Sequence, residues 1–86
     1  MSTSIEVQDM RGEALSFDGQ FLTIRLPGAF APGQPLVVKF PDSGSPIRLE
    51  GRSVGSKRVD EENFEIRLRL ISPRREHQPI LDSLRR

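Results

Sequence analysis

Phe64-Glu65-Ile66-Arg67-Leu68-Arg69-Leu70-Ile71 decides the fold class. Phe64, Ile66, Leu68 and Leu70 fall on one face of an extended chain, and Glu65, Arg67 and Arg69 on the other. A period of two with one apolar and one charged face predicts a strand buried on one side and wet on the other. Residues 47–54 repeat the pattern, with Ile47 and Leu49 inward and Arg48, Glu50 and Arg52 outward. Gly51 falls on the inner face there, which predicts a bend or the close approach of a neighbouring strand. Residues 36–40 put Leu36, Val38 and Phe40 inside, and residues 21–26 do the same with Leu22, Ile24 and Leu26. Residues 5–7 and 13–16 are shorter strand candidates.

The connections fit this reading. Asp18-Gly19 is a two-residue hairpin signal ahead of Phe21. Pro27-Gly28 ends one strand, and Ala31-Pro32-Gly33-Gln34-Pro35 turns into the next. Pro41-Asp42-Ser43-Gly44-Ser45-Pro46 reads as an exposed loop. Asp60-Glu61-Glu62-Asn63 reads as a solvated acidic tip, and residues 55–59 extend the strand before it. After Ser72 the period changes. Ile80, Leu81 and Leu84 share one helical face, and Pro79 suits the first turn of a helix. Such a short helix needs docking on the rest of the protein to be stable. The fold class is therefore all-β. The expected architecture is a small antiparallel barrel of five or six strands over about residues 5–71, with a short C-terminal helix over about 79–85.

At 86 residues the chain has room for a single domain. Its 35% hydrophobic residues are too many for a disordered chain. No run approaches the ~20 apolar residues of a membrane span. The first nine residues carry no basic region and no apolar region, so no signal peptide is expected and the expected location is the cytoplasm. With no cysteine and a single His, His77, disulfides and thiolate zinc sites are excluded and no metal ligands are assigned. As a catalytic base His77 would need a nucleophile or an orienting acid, which the sequence does not suggest, so no catalytic residues are assigned and the chain reads as a non-enzyme. Residues 1–46 carry three basic and five acidic side chains, and residues 47–86 carry ten and seven, giving −2 and +3. The basic residues alternate with Glu, and Trp and Tyr are absent. Nucleic acid is therefore an unfavoured partner.

The order of the segments resembles the PilZ domain, a small β-barrel that senses cyclic-di-GMP in many bacterial proteins. Leu15-Ser16-Phe17-Asp18-Gly19-Gln20-Phe21-Leu22 is similar to the family stretch containing D-x-S-x-x-G. Leu26-Pro27, then Phe30-Ala31-Pro32-Gly33-Gln34-Pro35-Leu36-Val37-Val38, is similar to the turn and strand that follow it. The stretches 47–54 and 64–70 resemble the later barrel strands. The match spans about residues 13–84. The family also places two Arg, spaced R-x-x-x-R, upstream of its Asp/Ser motif, where they grip guanine edges and phosphates bidentately. Here Arg11 alone precedes Ser16, and Ala14 stands at the acidic position. The glycine of the family's last strand is replaced by Arg67 or Leu68.

The resemblance implies a non-enzymatic regulatory module of cyclic-di-GMP signalling with a degenerate nucleotide site, acting through protein–protein contacts. Cyclic-di-GMP itself is expected to bind weakly or not at all. Arg11, Ser16 and Gly19 are the residues carried over as ligand-binding candidates. Arg48, Arg52, Arg67 and Arg69 form a separate candidate stripe for an anion or a partner, and Arg74-Arg75-Glu76-His77 reads as an exposed connector. The expected partner is a protein, a second copy of the chain included. The alternative is an Sm-like barrel that oligomerises and binds RNA. Sm-like chains usually carry their helix before the strands, whereas the helical pattern here is C-terminal.

Overall fold

The computed structural model of the chain describes residues 3–41, 47–71 and 78–83. Its strands are β1 (Thr3–Val7), β2 (Met10–Phe17), β3 (Phe21–Leu26), β4 (Pro35–Phe40), β5 (Ile47–Arg58) and β6 (Phe64–Leu70). All six pair antiparallel and close into a barrel in the order β1-β2-β3-β6-β5-β4. Closure leaves no long unpaired edge, the usual liability of a small sheet. The narrowest seam joins β1 to β4 through two residue pairs, Glu6↔Lys39 and Val7↔Val38.

The alternation read from the sequence sets the register. Ile66 and Leu68 are fully buried while Glu65, Arg67 and Arg69 are exposed. Leu22, Ile24, Leu26, Leu36, Val38, Phe40 and Leu49 complete the predicted interior. Ile47, Phe64 and Leu70, also expected inside, are partly buried and pack against this core from its rim. Ile5, Val7, Ala14, Phe17, Phe30 and Leu81 are further core residues. A Cβ on buried Gly51 would lie 2.9 Å from the Arg69 carbonyl oxygen, which is the close strand approach the sequence predicted.

Three local features depart from the expectations. The second strand starts at Met10 instead of residue 13, because a tight turn at Gln8, with φ of 55°, folds β2 back on β1. Between Met10 and the bulge its inward positions hold Gly12 and Ala14, which carry little hydropathy signal. The β2–β3 connection has three residues, not two. Gly19 takes a φ of 99°, and the Asp18 carboxylate accepts the backbone N–H groups of Gln20 and Phe21. A bulge between Ala14 and Ser16 shifts the phase of β2, so that Phe17 turns inward and Ser16 pairs with Thr23.

Phe30, in the loop between β3 and β4, folds into the core. Its N–H donates to Ser56 Oγ at 3.0 Å, and that hydroxyl donates to the Phe30 carbonyl at 2.8 Å. Leu81, beyond the last strand, is buried. The expected capping of one barrel end by Ile80, Leu81 and Leu84 rests in part on side chains outside the described residues. The loop 42–46 and the Arg74-Arg75-Glu76-His77 connector also lie outside them.

Candidate functional site

Strand register sorts the outward side chains into rows that run across the strands. On β2, β3, β6 and β5, Glu13 pairs with Arg25, Arg25 with Glu65, and Glu65 with Lys57. The next row toward the Asp18 turn is Ser16, Thr23, Arg67 and Gly55. The row beyond it crosses β3, β6, β5 and β4 as Phe21, Arg69, Arg52 and Pro35. On the other side of the barrel, β2, β1, β4 and β5 align Arg11, Glu6, Lys39 and Arg48.

These rows divide the residues singled out from the sequence. Arg52, Arg67 and Arg69 come together on the outside of β5 and β6. Arg48 does not join them. It lies four residues along β5 from Arg52, about 13 Å at strand rise, and beside Lys39 instead. Ser16 shares a row with Arg67. Gly19 sits in the turn at that end of the barrel. Arg11 lies five residues from Ser16 on β2, about 16 Å at strand rise, and faces Glu6.

Arg11 instead borders a shallow cleft of about 460 Å³, lined also by Ser4, Gly12, Glu13, Arg25 and Asn63. The cations of this cleft are balanced nearby. Arg25 Nη2 lies 2.5 Å from Glu13 Oε2. The Asp60 carboxyl is held below its ordinary value, first by the Glu62 backbone N–H and then by the Asn63 amide, with a smaller contribution from the Arg25 charge. Arg58 donates to the carbonyls of Asp60 and Glu61, which ties down the acidic tip.

The cationic rows are built differently. Arg52 and Arg69 are paired directly across the β5–β6 ladder. Arg67 faces Gly55, which offers no side chain, and its guanidinium lies 5.5 Å from the centroid of the Phe21 ring. That distance is within reach of a cation–π contact. Arg52 reaches the Gly33 carbonyl at 3.4 Å, a weak bond that leaves most of its donors free. Among the described residues, no carboxylate makes an ion pair with Arg52, Arg67 or Arg69. Asp18 is the carboxylate that feels Arg67. Its carboxyl is held low chiefly by the Phe21 and Gln20 N–H groups, and the Arg67 charge adds a smaller push.

No family model matches the chain, and no curated protein or solved structure matches it. The site is therefore read from its own geometry. The sequence pointed to the arginine stripe through its alternation with Leu and Ile. It did not show that Phe21 joins the stripe, because strand pairing alone brings β3 beside β6. Nor did it show that the bulge in β2 turns Ser16 toward the same surface.

Proposed function

We propose that this chain is a non-enzymatic binding module of the PilZ type, with a degenerate cyclic-di-GMP site, that acts through protein–protein contacts. The four resembling stretches support the reading by where they fall. They lie on the β2–β3 hairpin, on the turn into β4, on β5 and on β6 of one closed barrel. A helix after the last strand, closing the barrel end, belongs to the same reading.

The observation that carries the degenerate site is the placement of Ala14. This position, acidic in the family motif, is fully buried and paired with Thr3 and Ile24. A carboxylate there would face the core, with no route to a guanine edge on the outside. The neighbouring Glu13 does face outward, but Arg25 already holds it. Arg11 has no second arginine four residues away in the chain and lies at the far end of β2 from Ser16. Losing charge-assisted hydrogen bonds worth about 1.5–3 kcal/mol each, at two or more positions, weakens binding by at least about a hundredfold.

Calorimetric titration with cyclic-di-GMP, alongside GMP and a short RNA, tests the reading. No heat of binding is expected for any of them at low-micromolar ligand in physiological salt. Ala14→Asp is expected to lower the melting temperature and to leave cyclic-di-GMP binding unimproved, since a buried unpaired carboxyl is costly. A sub-micromolar dissociation constant for cyclic-di-GMP would overturn the degenerate site, and tight RNA binding would favour the Sm-like alternative.

A further inference from the structure

The Arg52–Arg69 pair is unfavourable as an internal arrangement. Like charges directly opposite in an antiparallel ladder repel, whereas opposite charges attract. The same sheet shows the alternative. In the Glu13–Arg25–Glu65–Lys57 row every neighbour has the opposite sign. Arg67 adds a third guanidinium next to the repelling pair, two residues from Arg69 along β6. Gly55 across the ladder leaves the space above it open.

We infer that Arg52, Arg67 and Arg69, with Phe21, form a docking face for an extended acidic segment of a partner protein. The inference rests on reading the chain as a module that acts through protein contacts, and it names the chemistry of that contact. Arg67 and Arg69 project from one strand about 6.6 Å apart. Carboxylates on every second residue of an extended segment have the same spacing. Arg52, about 5 Å from Arg69 across the ladder, closes on the second carboxylate from the other side. The Phe21 ring supports the Arg67 guanidinium, which limits the freedom that binding must remove.

Two other occupants fit less well. Single-stranded nucleic acid is held by aromatic rings on which bases stack, but Arg67 already lies over Phe21. The acidic tip of a second copy offers Glu61 and Glu62, which are adjacent and not alternate. Its Asp60 carboxylate is already used by the N–H groups of Glu62 and Asn63.

The test uses the full chain and a capped peptide of alternating Glu and Gly with four carboxylates, followed by calorimetry at low and physiological salt. An oligothymidylate of equal charge is titrated in parallel. The peptide is expected to bind with micromolar affinity at low salt and more weakly at higher salt. Arg67→Gln, Arg69→Gln and Arg52→Gln are each expected to weaken it at least fivefold, with circular dichroism spectra unchanged. Lys57→Gln and Arg48→Gln, which remove the same charge elsewhere on the barrel, are expected to leave it within twofold.

Equal losses in all five variants would show nonspecific charge attraction and overturn the assignment. So would absence of peptide binding, or tighter binding of the oligothymidylate. Salt-sensitive self-association of the free chain, abolished by Arg69→Gln, would transfer the face to a second copy and overturn the partner assignment. The cyclic-di-GMP titration is independent of these results. Nucleotide binding with an inert arginine face would overturn both proposals, whereas failure of the peptide alone leaves the degenerate-site reading standing.

Discussion

Two outward rows of the same sheet, built on overlapping sets of strands, solve the problem of surface charge in opposite ways. Glu13, Arg25, Glu65 and Lys57 alternate in sign across β2, β3, β6 and β5. Four residues along β6 from Glu65, Arg69 meets Arg52, with Arg67 between the two rows. Both rows face outward from the same barrel wall, and side-chain identity makes one surface self-satisfied and leaves the other with surplus positive charge. The first row stabilises the barrel modestly, as exposed ion pairs do. The second contributes no such stability and has donors available to an outside anion. A local conflict between neighbouring residues is the kind of feature expected at a functional surface.

The most severe way to break this comparison is to disturb the register that aligns both rows. Each has a glycine near its base. A Cβ on Gly12 would run into the Arg25 carbonyl oxygen, whereas one on Gly51 would sit 2.9 Å from that of Arg69. Both contacts are with backbone and cannot be relieved by a rotamer change. Gly12→Ala is expected to cost about 3 kcal/mol, the upper end of the usual overpacking range, and Gly51→Ala about 1–2 kcal/mol. Urea denaturation checks the order. A Gly12→Ala variant as stable as the parent would show that β2 and β3 are not held in this register.

Charge reversal sharpens the comparison, because the two rows respond with opposite signs. Arg25→Glu places a carboxylate between Glu13 and Glu65 and is expected to destabilise by about 1 kcal/mol. Arg69→Glu places one opposite Arg52 and is expected to stabilise by up to about 1 kcal/mol. Melting temperatures at low and high salt measure both, and added salt should shrink both effects. A loss of stability in both variants would mean that the Arg52–Arg69 contact is not repulsive.

The smallest expected effects concern pH. Asp18 adjoins the cationic rows and Asp60 the balanced one, and both carboxyls lie below the unperturbed value of 3.8 because turn N–H groups stabilise the charged form. A group depressed in the folded state contributes its full stability above the unperturbed value. That contribution is lost as the pH falls through the lower folded value. Asp18→Asn and Asp60→Asn, which keep an acceptor oxygen, are expected to flatten this acid limb with little change at neutral pH. In an NMR titration, Arg67→Gln should raise the Asp18 value, and Arg25→Gln the Asp60 value, by small amounts, because the N–H bonds are the larger cause.

Much of the barrel was legible because β3, β4, β5 and β6 alternate large apolar and polar side chains, and this alternation is itself the consequence of one-sided burial. The first two strands were harder to read. Gly12 and Ala14 are small because β2 lies so close to its neighbours, so the residues that mark the inner face carry almost no hydropathy. The bulge after Ala14 reverses the alternation within a single residue, which a period-based reading cannot follow. Phe30 lies in a loop rich in Gly and Pro, and only the Ser56 hydroxyl on β5 explains its inward turn. Of the candidate site, the arginines were visible as the polar half of a strand pattern. Which of them meet depended on pairing between strands distant in sequence, and this separated Arg48 from Arg52 and brought Phe21 to Arg67.

The proposed difference between the two rows is a difference in what they bind. Residue-resolved amide NMR during titration with the alternating Glu–Gly peptide tests it most directly. Chemical-shift changes are expected to concentrate at Phe21, Arg52, Gly55, Arg67 and Arg69, with near silence at Glu13, Arg25, Lys57 and Glu65. Shifts of equal size in both rows, or a map centred on Arg11 and Arg25, would contradict it.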